Sequence, residues 1–302
     1  MVDFKPDYLT TCTVYKLTER EPTFLEHMEE GNVAYYGLIL QSGYDEQIKE
    51  YLLKCAKDGL WEYQHGYGVT AEDSALVIEG LLESGADKEI LIASVRKLVQ
   101  TYYSESEGAF KTVLDGRARY WDGVSPETTA HIAYLLHRIT AGEHSREILS
   151  CASYIRKTQK RDGSWTGKWF PSIMIPTFYS IRLLCSIGES SSRNVTMARD
   201  YMIQTQHRNG SWNNSVVDSS AAIIGLCWAG SPPGIIEQGR DWILSRKGAE
   251  GWEGEPVLYY WFEEEDVRLF HCCRDKGRIT TAWAMLALKI SANIRVHGFL
   301  GT

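Results

Sequence analysis

Along most of this chain, stretches of helical period come in two kinds that alternate. One kind carries charge on one side and apolar residues at i, i+3 and i+4 on the other. It covers 45–57, 87–103, 143–159, 193–206 and 235–246, with a further candidate at 21–30. The other kind is apolar or small-residue almost all round and covers 32–41, 71–83, 126–138, 176–187, 218–229 and 280–291. A helix of the first kind has a solvated face, whereas one of the second kind is surrounded by other elements. The strand signal, polar and apolar residues in alternation between turns, is almost absent.

The two kinds are joined by a recurring turn. Asp58-Gly-Leu-Trp61, Glu107-Gly-Ala-Phe110, Asp162-Gly-Ser-Trp165, Asn209-Gly-Ser-Trp212 and Glu250-Gly-Trp252 each place a glycine one or two residues before a large aromatic. Two of these turns lie in a longer string, Gln159-x-x-x-Gly163-x-Trp165 and Gln206-x-x-x-Gly210-x-Trp212. The glycine supplies the positive φ that ends a helix, and the aromatic can fold back between neighbouring units. A repeat of one outer and one inner helix, taken six times, predicts an all-α closed (α/α)6 barrel occupying 1–302 as a single domain. An open superhelix would fit the same repeat, but its terminal units should carry polar caps, and none is visible. In the closed barrel the inner helices run parallel, so their N-termini meet at one mouth.

The residues at those starts are Thr70-Ala-Glu72-Asp73-Ser-Ala75, Ser125-Pro-Glu127-Thr128-Thr-Ala130, Ile175-Pro-Thr177-Phe-Tyr179, Val216-Val-Asp218-Ser219-Ser-Ala221 and Arg278-Ile-Thr280-Thr281-Ala282. Helix capping accounts for any one of these residues, since Ser, Thr and Asp are preferred caps and Glu suits a first turn. Several acids on the rim of one cavity exceed what capping needs. Glu72, Asp73, Glu127 and Asp218 are therefore the candidate acid and base groups. Tyr35, Tyr67, Trp121, Trp169, Phe170, Tyr179 and Trp283 lie in or near the same starts and loops. They could line a site and stabilise a cation, and plain packing is the competing reading for each.

The Gln-x-x-x-Gly-x-Trp strings resemble the QW motifs of squalene and oxidosqualene cyclases. Nearly the whole chain, as a repeat, resembles the terpenoid cyclase and protein prenyltransferase superfamily. Val216-Val-Asp218-Ser219-Ser220-Ala221 is similar to the Val-Ser-Asp-Cys-Thr-Ala string of oxidosqualene cyclases, whose Asp protonates an epoxide. The resemblance implies that Asp218 is the acid and that Ser219 stands where the cysteine would hydrogen-bond it. On that reading Asp218→Asn abolishes turnover, and Glu72 and Glu127 are alternative acids or the base. The Asp-x-Asp-Asp-Thr-Ala string of alkene-protonating relatives is absent in full. The resemblance thus implies an acid-initiated cyclase or isomerase of a hydrophobic terpenoid or meroterpenoid substrate, with no cofactor and no metal.

Composition changes this picture little. A net charge of −7 without a basic tail argues against a nucleic-acid partner. The opening residues Met1-Val-Asp-Phe-Lys-Pro-Asp lack the apolar core of a secretory signal, and Cys55, Cys151, Cys185 and Cys227 fall within helical patterns, which reads as reduced core cysteines of a cytoplasmic protein. The prenyltransferase zinc pattern, Asp-x-Cys, fails at Asp266-Val-Arg268, although His271-Cys272-Cys273 lies nearby. The acidic run Glu263-Glu-Glu-Asp266 reads as a solvated loop, and Arg274, Lys276 and Arg278 could meet an anion. Paired carboxylates on an (α/α)6 barrel also occur in glycoside hydrolases, but the Gln-x-x-x-Gly-x-Trp strings do not belong to those. A non-catalytic protein-binding toroid and a prenyl-transferring enzyme with a degenerate metal site are the alternative readings. Peripheral membrane contact and a homodimer stay open.

Overall fold

The computed structural model describes residues 33–43, 45–62, 68–113, 123–140, 142–264 and 267–297. The candidate helix at 21–30, the candidate ring residues Tyr67 and Trp121, and Asp266 lie outside these residues. Among the described residues there are six inner helices: α1 (Val33–Ser42), α3 (Ala71–Glu83), α5 (Pro126–Ile139), α7 (Met174–Ser186), α9 (Val216–Trp228) and α11 (Arg278–His297). Among the described residues five outer helices alternate with them: α2 (Glu46–Lys54), α4 (Lys88–Tyr102), α6 (Ser145–Thr158), α8 (Arg193–Gln204) and α10 (Pro233–Ser245). Each inner helix packs on the next, and α11 packs back on α1, which closes the ring. From α4 onward, each outer helix packs in the seam between two consecutive inner ones. No helix among the described residues is long and apolar enough to cross a membrane.

Burial follows the two patterns. In α3, α7 and α9 eleven consecutive residues are buried, as for Ala71–Leu81, so these helices have neighbours on every side. The outer helices bury one stripe: Leu91, Val95, Leu98 and Tyr102 in α4, and Ile148, Cys151, Ala152 and Ile155 in α6. The cysteines depart a little from expectation, since only Cys151 is fully buried while Cys55, Cys185 and Cys227 are half-buried free thiols.

The Gly-x-aromatic turn is a welded joint. The indole nitrogens of Trp61, Trp165, Trp212 and Trp252 donate to the carbonyls of Leu52, Ile155, Met202 and Ile243 at 2.6–2.8 Å. These carbonyls sit at outer-helix C-termini, where the last four have no partner within the helix. The backbone N–H of each same tryptophan donates to a hydroxyl in the next inner helix: Ser74, Thr177, Ser219 and Thr281. Phe110 does likewise to Thr129, without the indole. In the two longer strings the glutamine adds a third tie. Gln206 Nε2 donates to Gly210 O at 2.9 Å and to Ile235 O, at the start of the next outer helix, at 3.0 Å. Gln159 does the same to Gly163 O and Asn194 O. Glycine is required at 163 and 210 twice over: φ is 97° and 92°, and a Cβ would stand 2.3–2.4 Å from the carbonyls of Met197 and Gln238. Gln206→Ala, which cuts two of these bonds, is expected to lower the unfolding free energy by about 1–3 kcal/mol in denaturant titration.

Two sequence expectations need correcting. The chain between α10 and α11 forms a β-hairpin rather than a loop: β3 (Pro256–Glu264) pairs antiparallel with β4 (Val267–Arg274), with Tyr260 opposite His271 and Trp261 opposite Phe270. A shorter pair, β1 (Tyr103–Ser104) and β2 (Ala109–Phe110), follows α4. The long hairpin escaped notice because Val257-Leu-Tyr-Tyr-Trp-Phe262 is apolar without interruption, so it shows no period of two. Glu263 and Glu264 belong to β3, and His271, Cys272 and Cys273 to β4. The starts of α7, α9 and α11 also lie two residues earlier than the expected 176, 218 and 280. Pro176 occupies the third helical position, where its missing N–H still costs no helical bond, and the cap of α9 is Ser215.

Candidate functional site

Outer helices end, turns follow and inner helices begin on one face, so the loops 68–70, 111–113, 123–125, 166–173, 213–215 and 253–255 gather around the inner-helix N-termini. The hydroxyls that hold the aromatic turns fix the register there. Ser74, Thr129, Thr177, Ser219 and Thr281 are equivalent. Glu72 and Glu127 stand two residues before that position, whereas Asp73 and Asp218 stand one before. Glu72, Glu127 and Asp218 are each the third residue of their strings, yet the anchored hydroxyls put Asp218 one residue out of register with the two glutamates. One residue is about 100° of helix rotation, so the two classes of acid point differently.

Asp73 and Asp218 belong to the caps. Thr70, Ser125 and Ser215 are the N-caps, each accepting the N–H three residues on. Asp73 accepts the Thr70 hydroxyl, and Asp218 accepts Asn213 Nδ2 at 2.7 Å. Both are buried. Burial pushes Asp73 up to about 7, opposed by the Thr70 bond and helped by the charge of Glu72. Burial likewise pushes Asp218 up to about 6, opposed by bonds from Ser172 and Asn213 and helped by Glu255. Ser219, expected beside Asp218 as a site group, has its hydroxyl on the Trp212 N–H.

Two capping acids had no sequence signal. Glu255 accepts the N–H groups of Val216 and Val217 and the Ser215 hydroxyl at 2.6–3.1 Å, and Asp275 accepts those of Gly277, Ile279 and Thr280. Both flank the hairpin: Glu255 reaches the start of α9, about 40 residues back in sequence, and Asp275 caps α11 directly after it.

Glu72 and Glu127 do not cap. Glu127 is fully buried on α5, and its Oε1 accepts the backbone N–H of Lys168 at 2.5 Å and of Trp169 at 3.1 Å. It grips the loop that leads to α7 so closely that a Cβ at Gly167 would lie 2.7–2.8 Å from the carboxyl. Burial first, then the charge of Glu72, raises the Glu127 carboxyl above its ordinary range. Glu72 on α3 meets His131 Nδ1 with Oε1 at 3.4 Å. The Oε2 atoms of Glu72 and Glu127 are buried with no hydrogen-bond partner. A buried carboxylate oxygen left so is costly, and it marks a place where a proton or a ligand would be accommodated.

Behind this pair lies a charged group that sequence reading missed. His131 Nε2 meets Glu79 Oε2 at 2.7 Å, and Glu79 is paired through both oxygens with Arg182. Burial alone would raise Glu79, but Arg182 and His131 hold it at about 2. Burial alone would lower His131, and the bonds from Glu72 and Glu79 outweigh it, raising the imidazole. The available signal was a charged or ionisable residue inside a run otherwise buried all round: Glu79 in Leu-Val-Ile-Glu-Gly-Leu-Leu, His131 in Thr-Ala-His-Ile-Ala, and Arg182 in Ser-Ile-Arg-Leu-Leu.

The aromatics divide. Tyr179 stacks on His131 with ring centres 4.5 Å apart and 13° between planes. Phe178, not anticipated, lies 4.7 Å from Tyr179 and edge-on to Trp283 at 6.3 Å. Trp169 is placed by the Glu127 contact, Phe170 is buried beside it in sequence, and Tyr35 packs half-buried against the core. The structure therefore gathers Glu72, Asp73, Glu127, His131 and Tyr179, while the charged neighbour of Asp218 is Glu255. Among the described residues no cluster of three His, Cys, Asp or Glu could hold a metal ion.

Residues 117–223 match the squalene-hopene cyclase C-terminal domain family. No curated protein matches in sequence. Among solved structures the fold is similar to ent-copalyl diphosphate synthase from Streptomyces platensis, with TM-score 0.67 and 20% identity over 86% of this chain and 50% of that one. The chain thus spans half the length of that protein. It is also similar to the type II terpene cyclase MstE from Scytonema in complex with its substrate geranylgeranyl dihydroxybenzoate. There the TM-score is 0.70 and the identity 15%, over 88% of each chain. Candida albicans protein geranylgeranyltransferase-I complexed with GGPP aligns with TM-score 0.59 and 10% identity over 95% of this chain and 90% of the other. The fold is the helical toroid of terpene cyclases and prenyltransferases.

Proposed function

We propose that the protein is an acid-initiated cyclase or isomerase of a linear, prenyl-bearing hydrophobic substrate, with Glu72 as the proton donor. The observation that carries this reading is the Glu72 carboxyl. It is buried, it is backed by His131 on one oxygen, and its other oxygen has no partner, beside the stacked Tyr179. Glu72 Oε2–H would pass its proton to a terminal alkene carbon or an epoxide oxygen. The C=C π pair or the C–O bond breaks, a carbocation forms, ring closure consumes a further C=C, and loss of a proton to a base leaves an isomer of the starting material. The negative charge left on Glu72 is offset by the carbocation formed opposite it. The faces of Tyr179, Phe178 and Trp283 favour the cation. Asp218, although burial raises it to about 6, is the weaker candidate on this geometry, because Asn213 and Ser172 already donate to its carboxyl and leave it less open to a substrate.

Substrate class is suggested by the toroid's likeness to a cyclase solved with geranylgeranyl dihydroxybenzoate. That compound and related linear prenyl phenols and their terminal epoxides are the first to incubate with the enzyme. The expected product has unchanged mass and an altered retention time. An unaltered substrate panel, together with wild-type and Glu72→Gln extracts that hold the same metabolites, would defeat the reading. A proton-initiated reaction requires no metal, and the Asp-x-Cys ligand pair is missing from the sequence. Turnover is therefore expected to survive exhaustive treatment with EDTA, and loss restored by zinc would point to prenyl transfer instead.

A further inference from the structure

The charged chain behind Glu72 runs through three inner helices. Glu72 and Glu79 come from α3, His131 from α5 and Arg182 from α7. Helices α3 and α7 are not neighbours in the ring, since α5 lies between them. The Glu79–Arg182 pair therefore spans α5. Arg182 Cζ lies 4.0 Å from the centre of the Tyr134 ring and 4.9 and 5.0 Å from those of Phe178 and Tyr179, so aromatic faces enclose the guanidinium. All four ionisable groups of the chain are buried.

The chemistry of these groups leaves few arrangements. Arg182 is always charged and offers only donors. It binds Glu79 through two nitrogens, and an ionised Glu79 can only accept. His131 Nε2, at 2.7 Å from Glu79 Oε2, must then carry hydrogen. The other ring nitrogen, Nδ1, faces Glu72. Counting charge, Glu79 and Arg182 cancel, so a buried neutral group is obtained when Glu72 and His131 together carry one proton beyond the Nε2–H, on a Glu72 oxygen or on Nδ1. Neutrality is strongly favoured where water is excluded. Tyr179 from α7 also faces His131, stacked on its ring, and burial keeps it protonated.

We propose that Glu79 and Arg182 are positioning residues for the acid, acting through His131: they fix its Nε2–H tautomer and so reserve Nδ1 to share a single proton with Glu72. The inference rests on Glu72 being the donor. When that proton leaves for substrate, the group is left one charge negative, opposite the carbocation just formed. The Glu79–Arg182 pair touches neither substrate nor the reacting atoms. It decides which side of the imidazole the acid meets, as the orienting member of a carboxylate–imidazole pair does.

The test is the tautomer itself, read from 15N shifts of histidine-labelled protein. Wild type is expected to show His131 with hydrogen on Nε2 at every pH from about 5 to 8, and Nδ1 alone changing. Glu79→Leu with Arg182→Met removes both charges and the acceptor. It is expected to release the ring to the Nδ1–H tautomer and to cut kcat at least tenfold with KM little changed, whereas Arg182→Lys keeps both the wild-type tautomer and most of the rate. A neutral Nδ1–H tautomer in wild type would overturn the proposal, and so would an unchanged tautomer in the double variant. The wild-type spectrum decides even if the double variant does not fold. The expected tautomer combined with no turnover of any prenyl substrate would leave the positioning geometry standing and remove the cyclase reading.

Discussion

Glu72→Gln is expected to reduce turnover by roughly 100-fold or more while leaving the fold in place. Glutamine matches glutamate in shape, and its amide N–H can donate to His131 Nδ1 in place of the shared proton. It cannot act as an acid. Glu72 caps no helix and its second oxygen holds no partner, so the structural loss should stay within about 1 kcal/mol. Asp218→Asn is the direct comparison. Its carboxyl is tied to Asn213 beside the Ser215 cap, so the substitution should disturb stability as much as rate. A larger rate loss in Asp218→Asn than in Glu72→Gln would move the acid to Asp218. Circular dichroism and thermal melts on both variants separate lost chemistry from lost fold.

Arg182→Met is expected to destabilise the protein by about 3–5 kcal/mol, because it strands the Glu79 charge in a site enclosed by Tyr134, Phe178 and Tyr179. Adding Glu79→Gln should recover most of that loss, since a pair removed together leaves no uncompensated charge. Equal instability of the single and double variants would mean that Arg182 contributes packing alone. The same pair gives an acid dependence. Glu79 is held at about 2 against an ordinary value near 4.5, so its folded-state pKa is depressed. Its stabilisation is then complete above about pH 4.5 and fades as pH falls toward 2. Asp73 has the opposite sign: raised from 3.8 to about 7, it favours the folded state most below pH 3.8, and that contribution is lost as pH rises through 7. Denaturant midpoints of wild type and Glu79→Gln, measured from pH 2 to 8, should converge at the acid end.

Much of the toroid was legible because its information is local. A helix shows its environment in a window of a dozen residues. The contrast between the striped run of α4 and the fully buried run of α3 separates outer from inner without any knowledge of partners. Gly163 and Gly210 were legible for the same reason, since a positive φ at the end of a helix is a property of one residue. The hairpin was not, because Val257–Phe262 is apolar without interruption and the partner strand alone makes it a strand.

The site divides along the same line. Sequence by itself determined that acids would gather at the inner-helix starts, because alternating helices with parallel inner members must bring those starts to one mouth. It also put Tyr179 and Trp283 in the opening two turns of their inner helices. Only the tertiary structure decided which acid is which. The hydroxyls of Ser74, Thr129 and Ser219, each anchored to an aromatic turn, set a register in which Asp218 matches Asp73 rather than Glu72, and one residue turns a side chain by about 100°. Tertiary structure alone also decided that Glu79, His131 and Arg182 form one charged group. His131 is 52 residues from Glu79, and Arg182 is 103 from it. Their meeting depends on the closed ring and on the depth of each residue along its helix. A single charge inside an apolar run announces that a partner must exist, because an unpaired buried charge is too costly to keep. Which partner it finds is set by the packing of three helices.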